Sequence, residues 1–331
     1  MVDVLVKKWV FAKKFEGDAR QENFKLIEEK LETNMKDGEM FTEAEFIAVD
    51  PYLRVEQLTE EGHDTILGTQ VAKVLESKSK AFSVGSYVMG ELGWRTNTIC
   101  DESKVENLPE VGNLPVSSAL GIYGMSGMTA YFGIHDVLDP KSGEVFFVSS
   151  AAGSVGNLAG QIAKIKGCKV IGSAGSQEKC DWLTKELGFD HVFNYKTTKL
   201  EDAVSEFSPS GIDCYFDNVG GEFTTAMIRH IRPNGRIYCC GSISTYNDDE
   251  NQPKGPYPWY YICQQNIRIE GRDVRSVRKD RYIQAQQQML QWVQQGKLKY
   301  REHITTGFEN IPTAFLELFH GKTIGKAVVK V

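Results

Sequence analysis

The sequence predicts an α/β protein in which a β-rich region precedes a doubly wound parallel sheet. In the first ~120 residues, short alternating apolar and polar segments are separated by glycine, proline and asparagine, which is typical of strands and turns. From Glu144 onward, short apolar runs alternate with amphipathic helical segments, and repeated strand–helix–strand units predict a parallel sheet. The length of 331 residues is enough for two domains.

The predicted elements follow these two patterns along the chain. In the β-rich region we expect strands over 43–50, 68–77 and 85–92, and helical material over 113–138. In the second region the predicted strands are 144–150, 168–174, 191–196, 212–220 and 235–244, and the tail over 326–331 is predicted to be a final strand. The predicted helices are 157–167, 177–188, 200–208, 221–231 and 282–296.

The net charge and the cysteines limit the possible partners and the cellular compartment. A net charge of −6 argues against a general affinity for nucleic acid or an anionic membrane. No apolar run approaches the roughly 20 residues that span a bilayer, and the lysine-rich N-terminus does not resemble a cleaved signal. The seven cysteines are scattered without a Cys-x-x-Cys pair, which favours a reduced, cytoplasmic chain. Cys239 and Cys240 are expected to be small buried residues of one strand.

A glycine-containing loop lies between the first strand of the parallel sheet and the helix that follows it. It reads SSAAGSVGN over 149–157, and the N–H groups and positive dipole of the helix N-terminus favour a pyrophosphate. Gly153 and Gly156 allow a close backbone approach, although Ala151 replaces the first glycine of the usual GxGxxG. A tight turn without ligand is the alternative, and the position at the first strand–helix junction favours a dinucleotide.

The second strand of the sheet ends without the acidic residue that binds the ribose hydroxyls of NAD. Ser173 lies in its last residues, and Ser176 and Lys179 follow it; their hydroxyls and charge suit an adenosine 2′-phosphate, which a carboxylate would repel. An ordinary loop with a solvated lysine is the alternative, since Glu178 weakens the positive field. The pattern favours NADPH or NADP+ over NAD.

Several motifs occur together over essentially the whole chain. They read SAAGSVG, GSAGSQEK, VFNYK, CYFDNVGGE and CGSISTYN, with DPYLR at 50–54 and GFENIPTAF at 307–315. This combination resembles the medium-chain dehydrogenase/reductase superfamily, and more closely its zinc-independent, NADP-dependent prostaglandin and 2-alkenal reductases. The resemblance implies a GroES-like substrate domain over 1–124, a Rossmann domain over 125–299 and a return to the first domain over 300–331.

The resemblance also implies which residues contact NADPH. The glycine loop would hold the pyrophosphate, Lys179 and Tyr195 would meet the 2′-phosphate, and Asn218 would lie near the nicotinamide ribose. The complete set is Gly153, Ser154, Val155, Gly156, Lys179, Tyr195, Asn218, Cys240, Gly241, Ser242, Ile243, Ser244, Thr245, Tyr246, Arg272, Asp273, Val274 and Thr323. Two of these depart from the family pattern, because Arg272 stands where a phenylalanine is usual and Thr323 where an asparagine is usual.

The sequence predicts no metal site. Zinc-dependent members of the superfamily carry Gly-His-Glu where this chain has Gly68-Thr69-Gln70, and a cysteine near 50–54. A catalytic zinc needs about three Cys, His or carboxylate ligands, and neither position offers one. His63, in the string GHD at 62–64, is the alternative ligand, and its charged segment argues against that role.

Without zinc, reduction of a carbon–carbon double bond conjugated to a carbonyl is the favoured chemistry. Tyr246 is the first candidate hydrogen-bond donor to the developing enolate, and Tyr52 is the second, with Arg54 as its orienter. Tyr257 and Tyr260 are expected to contact substrate, and simple apolar packing stays open for each of these tyrosines.

The resemblance implies NADPH-dependent reduction of α,β-unsaturated aldehydes and ketones. The resemblance also implies two particular activities: reduction of the Δ13 double bond of 15-oxo-prostaglandins, and oxidation of the 12-hydroxyl of leukotriene B4. The alternatives are an NADPH quinone oxidoreductase and a non-enzymatic NADPH-binding protein. The family also implies a homodimer.

Overall fold

The computed structural model describes residues 3–56, 65–248 and 258–331. In chain order, the strands are β1 (Asp3–Phe11), β2 (Phe24–Glu32), β3 (Glu39–Ala48), β4 (Thr69–Ser77), β5 (Tyr87–Glu91), β6 (Asn97–Asp101), β7 (Val105–Asn107), β8 (Val145–Val148), β9 (Lys169–Ala174), β10 (His191–Asn194), β11 (Ile212–Asp217), β12 (Ile231–Cys239), β13 (Arg268–Gly271), β14 (Glu302–Thr306) and β15 (Lys326–Lys330). The α-helices are α1 (Leu53–Glu56), α2 (Met125–Phe132), α3 (Ser154–Ile165), α4 (Gln177–Lys185), α5 (Leu200–Phe207), α6 (Gly221–Ile228), α7 (Trp259–Gln265), α8 (Lys279–Gln294) and α9 (Ile311–Phe319). A π-helical turn, Gly133–Leu138, follows α2.

The chain forms two compact units. The first unit comprises Met1–Gly121, Glu302–Thr323 and Ala327–Val331, and the second comprises Ile122–Arg301 and Ile324–Lys326. The polypeptide therefore leaves the first unit twice, once for residues 122–301 and once for the three residues 324–326, and returns to it each time.

The first unit is β-rich. One sheet has the strand order β14-β15-β3-β4-β5-β7, with β6 also paired to β3, and β1 and β2 form a separate antiparallel pair. Its core includes an aromatic cluster in which the rings of Phe24, Trp94 and Phe315 lie with centroids 5.9 Å apart. Burial of such large apolar rings stabilises a small β domain effectively.

The second unit is built on a six-stranded parallel sheet of order β10-β9-β8-β11-β12-β13. This is the doubly wound order of a Rossmann fold, in which the chain direction across the sheet reverses between β8 and β11. Ligands of such sheets bind beyond the carboxyl ends of the strands at this reversal. The predicted α/β class, with a β-rich region and a doubly wound parallel sheet, is confirmed.

The region around β12 differs from the prediction. The helix expected over 221–231 ends at Ile228, and the strand expected over 235–244 runs instead from Ile231 to Cys239. Ile231 already pairs with Ile212, and the register then shifts before Arg236 pairs with Cys214. The expected burial of the two cysteines is wrong, because Cys239 ends the strand with its side chain exposed and Cys240 lies beyond it, partly exposed.

Candidate cofactor and active site

The glycine loop, defined as residues 149–157, connects β8 to α3 at the reversal point of the sheet. Gly153 is the N-cap residue of α3, and its N–H donates to the Ser150 carbonyl over 3.0 Å. A Cβ on Gly156 would lie 2.4 Å from the Ser150 carbonyl oxygen, so only glycine allows the first turn of α3 to pack on the strand end. The first amides of a helix have no intrahelical acceptor, which leaves them for an anion.

One buried hydroxyl at this helix N-terminus supports a phosphate site. The Ser154 Oγ is buried and makes no hydrogen bond to any other described residue. Buried polar atoms are nearly always satisfied, so such an atom indicates a missing partner. A phosphate oxygen of a dinucleotide would accept this hydrogen bond, and the residues present therefore fit the cofactor.

A second cluster lies at the carboxyl ends of β9 and β10, where Ala174 pairs with Asn194. Lys179 lies in the first turn of α4 and is 9% exposed, whereas Tyr195 follows β10 and is 49% exposed. The Tyr195 hydroxyl lies beside Gly175, 3.1 Å from where a Cβ on that glycine would be. The structure thus brings Lys179 and Tyr195 to the same corner of the sheet.

Electrostatics at this corner favour a ligand of negative charge. Burial lowers the pKa of Lys179, and the positive charge of the neighbouring Lys196 lowers it further. A phosphate between two such cations would relieve their repulsion. Lys196 was not selected from the sequence, although it closes the VFNYK motif.

The two serines predicted for this corner have different roles. Ser173 is 1% exposed within β9, so the expectation that its hydroxyl serves the phosphate is not supported by its burial. The Ser176 hydroxyl caps α4 by accepting the Lys179 N–H over 3.3 Å. Its own proton stays available for donation.

Asn218 joins the ends of β8 and β11. Its backbone N–H donates to the Ser149 Oγ over 2.9 Å, and its Nδ2 donates to the Ser149 carbonyl over 2.8 Å. The loop 240–246 is fastened to the same strand end, because the Ser244 N–H donates to the Val219 carbonyl over 3.1 Å. The predicted residues Asn218 and Cys240, Gly241, Ser242, Ile243, Ser244 and Thr245 therefore lie together at the reversal point.

Asp217 organises this edge of the sheet and was missed by the sequence reasoning. The side chain is 2% exposed, and its carboxylate accepts hydrogen bonds from Ser149, Tyr215, Val219, Gly220 and Thr224 over 2.5–3.3 Å. Its carbonyl accepts the N–H groups of Cys240 and Gly241 over 2.8 and 3.1 Å. The only signal in the sequence was its place directly before the predicted Asn218.

Tyr246 presents a protonated hydroxyl on the same loop. Its Oη accepts the Ser242 N–H over 3.2 Å and lies close over Gly241. Burial raises the pKa of this hydroxyl above the usual value of 10. Because an N–H already occupies one acceptor position, the phenolic proton is available for another acceptor, such as a substrate carbonyl.

Arg272, which departs from the pattern that the resemblance implies, forms an ion pair with the π-helical turn after α2. Its Nη1 lies 3.0 Å from the Oδ2 of Asp136, in the π-helical turn, and its carbonyl accepts the Tyr238 hydroxyl over 3.2 Å. The next residues form a short turn, in which Asp273 accepts the Arg275 N–H and Val274 is buried. The cofactor contacts expected for this segment stay a prediction.

Tyr52, Arg54 and Thr323 belong to the first unit. Arg54 is 3% exposed, donates from Nη2 to the Gly17 carbonyl over 3.0 Å, and lies over the ring of Phe15. Tyr52 is partly buried against the aromatic core, and Thr323 is buried. These contacts anchor the Arg54 side chain to Gly17 and Phe15. That Arg54 orients Tyr52 stays a prediction.

Of the two predicted substrate tyrosines, Tyr260 lies in the part of the chain that the structure describes. Tyr260 lies on α7 with its side chain 68% exposed, and its ring meets that of Tyr261 edge-to-face. Tyr257 lies outside the described residues, as does His63, the alternative metal ligand.

The residues at the zinc position do not fit a metal. The Gln70 side chain is buried and donates from Nε2 to the Gly93 and Arg95 carbonyls, and Thr69 donates to Glu91. No group of three or more His, Cys, Asp or Glu side chains suited to a metal occurs in residues 3–56, 65–248 and 258–331. The same described ranges contain no helix long and apolar enough to cross a membrane.

Comparisons with known proteins agree with this architecture. Residues 154–295 match the family described as zinc-binding dehydrogenase, and residues 7–108 match the N-terminal domain of oxidoreductase. The chain is 46% identical over 99% of both chains to prostaglandin reductase 1 of Rattus norvegicus. It is 38% identical to 2-alkenal reductase (NADP(+)-dependent) of Nicotiana tabacum, over 99% of this chain and 96% of that one. The crystal structure of CurA in complex with NADPH from Vibrio vulnificus superimposes with a TM-score of 0.91 and 35% identity, over 98% of this chain and 99% of that chain.

The fold, the glycine loop and these matches define a two-domain oxidoreductase of the medium-chain dehydrogenase/reductase superfamily. Within that superfamily, the chain belongs to the prostaglandin reductase family, as the identity over nearly the whole length shows. The resemblance found in the sequence is confirmed.

Proposed function

We propose that this protein reduces the carbon–carbon double bond of α,β-unsaturated aldehydes and ketones with NADPH. The observation that carries the proposal is the Tyr246 hydroxyl, which accepts the Ser242 N–H and therefore has its own proton left to donate. It lies on a loop that shares the reversal point of the sheet with the glycine loop. A donor beside the cofactor site, in a chain whose residues do not fit zinc, suits an enone better than an alcohol.

NADPH is the cofactor that the corner around Lys179 favours. Two lysines and a tyrosine meet at the strand ends where an NAD site would carry an acidic residue. The tobacco relative is named as NADP(+)-dependent, and the CurA crystal structure contains NADPH. We assign Gly153, Ser154, Val155 and Gly156 to the pyrophosphate, and Lys179 and Tyr195 to the 2′-phosphate.

The proposed reaction uses few protein groups. Bound NADPH supplies the hydride that the β carbon of the enone accepts. Negative charge then develops on the carbonyl oxygen of the substrate, and the Tyr246 Oη donates a hydrogen bond to it. A well-placed donor of this kind contributes about 3 kcal/mol of transition-state stabilisation. A proton from water or a tyrosine at the α carbon completes the saturated carbonyl, so one hydride and one proton are added.

The proposal also assigns individual residues, particular substrates, domain bounds and a cellular location. We propose Tyr52 as a second donor, Tyr257, Tyr260 and Arg54 as substrate-side residues, and the segment 272–274 and Thr323 as nicotinamide-side residues. The proposed substrates include 15-oxo-prostaglandins, because the rat relative is named prostaglandin reductase 1. Oxidation of the 12-hydroxyl of leukotriene B4, in which NADP+ would accept the hydride, is proposed from the sequence resemblance alone. The domain bounds 1–124, 125–299 and 300–331, a cytoplasmic location and the lack of nucleic-acid binding belong to the same proposal.

We also propose a homodimer formed at the β13 edge of the parallel sheet. β13 is the last strand in the sheet order, and Ile269 on it is 39% exposed. Trp259 and Tyr260 on the preceding helix are 66% and 68% exposed. An edge strand with exposed apolar residues beside it suits pairing with a second copy. Light scattering on the purified protein tests this, and a monomer at micromolar concentration would refute it.

The function is tested by following NADPH absorbance with three oxidants. Oxidation with 4-hydroxynonenal and 15-oxo-prostaglandin E2, and recovery of the saturated carbonyl, supports the proposal. Turnover with a naphthoquinone alone would identify a quinone oxidoreductase instead. Tight NADPH binding with no turnover of any of the three would indicate a non-enzymatic NADPH-binding protein.

A further inference from the structure

We infer that Gly325 is a positioning residue for the glycine loop, an inference that rests on the proposed binding of NADPH. The Gly325 N–H donates to the Ala152 carbonyl over 2.9 Å, and Gly153 and Gly325 form an isolated parallel β-bridge. Ile324–Lys326 belong to the second unit although the residues on either side belong to the first. A short segment near the end of the chain thus holds the loop that begins α3.

A second backbone segment, at Arg301, lies against the position where a side chain on Gly325 would begin. A Cβ on Gly325 would lie 2.1 Å from the Arg301 carbonyl oxygen and 2.8 Å from its carbon, distances that real Cβ atoms do not reach. The Lys326 N–H donates to that same Arg301 carbonyl over 3.1 Å. The φ angle of Gly325 is +75°, in the left-handed region that favours glycine.

The Arg301 segment has little freedom to move away. Gln161, buried on α3, donates from Nε2 to the Lys299 carbonyl over 3.0 Å, and its Oε1 accepts the Lys299 N–H over 2.8 Å. The Arg301 guanidinium lies over the ring of Trp182, 5.6 Å from its centre. Gly325 is therefore wedged between a segment fixed to α3 and the loop at the start of α3.

A side chain at position 325 is expected to weaken NADPH binding, because the space around Gly325 is filled on the Arg301 side and on the Ala152 side. A side chain at position 325 would have to push away either Arg301, which α3 holds, or Ala152, which the loop carries. Movement of Ala152 and Gly153 would misalign the amides at the start of α3 that we assign to the pyrophosphate. Because the pyrophosphate is bound equally in the ground state and the transition state, the loss would appear in NADPH affinity and leave kcat nearly unchanged.

The test compares Gly325→Ala with Gly296→Ala. Gly296 also has a positive φ, +68°, in the second unit, but no described atom lies within 4 Å of its Cβ position. Both variants carry the backbone strain of alanine at positive φ, and only Gly325→Ala adds the collision. NADPH affinity is measured by quenching of protein fluorescence, with thermal unfolding of each variant as the readout of stability.

We expect Gly325→Ala to bind NADPH at least about tenfold more weakly than the unaltered protein, with Gly296→Ala within about twofold of it. Equal affinities for the two variants would overturn the inference. If Gly325→Ala does not fold, the test is made on the unaltered protein by measuring the rates of amide hydrogen exchange with and without NADPH. NADPH should then slow exchange over 324–326 together with 151–156, and protection confined to 151–156 would overturn the inference.

The two proposals fail in different ways. Loss of enone turnover with NADPH binding intact would overturn only the proposed reaction, because Gly325 is tested through binding. An unaltered protein that binds no NADPH would overturn both.

Discussion

Arg272 and Asp136 form an ion pair that joins the end of β13 to the π-helical turn after α2, with 3.0 Å between Nη1 and Oδ2. The same carboxyl accepts a hydrogen bond from the Nη2 of Arg281 on α8 over 2.7 Å. One half-buried carboxylate therefore serves two guanidinium groups from different elements. Arg272, which stands where the sequence resemblance leads us to expect a phenylalanine, thus has a partner within this chain.

Asp136→Ala should destabilise the protein more than Arg272→Ala does. Removal of the carboxylate leaves two arginines facing each other, whereas removal of Arg272 leaves Asp136 paired with Arg281. We expect a loss of about 2–3 kcal/mol for Asp136→Ala and about 1 kcal/mol for Arg272→Ala in urea unfolding. Asp280→Ala, which breaks the exposed pair with Arg278, is the matched control and should leave the unfolding midpoint unchanged. Equal losses for the first two variants would contradict this account.

The parts of the site that could be predicted from the sequence are those encoded locally. The glycine loop, Lys179 and Tyr195 each follow a recognisable strand, and the structure brings them to the strand ends where parallel sheets bind ligands. Asp217 was overlooked because a carboxylate at a strand end carries no distinguishing pattern until its five donors are known. Gly325 was overlooked because its constraint comes from Ala152 and Arg301, which are distant in sequence.

Lys179→Ala should weaken NADPH far more than NADH. Loss of a charge-assisted contact to the 2′-phosphate costs about 1.5–3 kcal/mol, which corresponds to about 10- to 100-fold in the dissociation constant. NADH carries no phosphate at that position, so its affinity should stay within about twofold. Lys185→Ala removes an exposed lysine of the same helix and should change neither affinity. Equal weakening of both cofactors would remove Lys179 from the phosphate site.

Asp217→Ala should disrupt both folding and NADPH binding, and Asp217→Asn should restore part of each. Alanine leaves the Val219 and Gly220 amides and the Tyr215 and Thr224 hydroxyls without their acceptor, at a cost of about 3 kcal/mol or more. The asparagine Oδ1 can still accept the two amides. Chemical unfolding and NADPH titration measure the two effects. An alanine variant as stable as the asparagine variant would show that the carboxylate does not organise this edge.

Tyr246→Phe should lower turnover without changing NADPH affinity. The hydroxyl is proposed to stabilise charge that forms only in the transition state by about 3 kcal/mol, so kcat should fall by about 100-fold or more. The phenylalanine keeps the aromatic ring and removes only the hydroxyl, so the dissociation constant for NADPH should stay within about twofold. Steady-state kinetics with 4-hydroxynonenal and direct titration separate the two quantities. An unchanged kcat would move the role of donor to Tyr52 or to water.

His135 should make the protein less stable as the pH falls below neutrality. Burial against Tyr131 and Trp292 is the main cause that lowers its pKa from 6.5 to about 4, and Lys166 adds to the effect. Between pH 6.5 and 4 the imidazole is therefore protonated in the unfolded chain and neutral in the folded protein. The free energy of unfolding is highest above pH 6.5 and decreases as the pH falls toward 4.

His135→Phe isolates this contribution. The Nε2 is buried without a hydrogen-bond partner in the part of the chain that the structure describes, so an apolar ring of similar shape can take its place between Tyr131 and Trp292. At pH 7.5 the variant should match the unaltered protein within about 1 kcal/mol in urea unfolding. Between pH 7.5 and 5 it should lose about 1–2 kcal/mol less, because it has no imidazole to protonate. Parallel stability curves for the two proteins over this interval would show that His135 titrates alike in the folded and unfolded states.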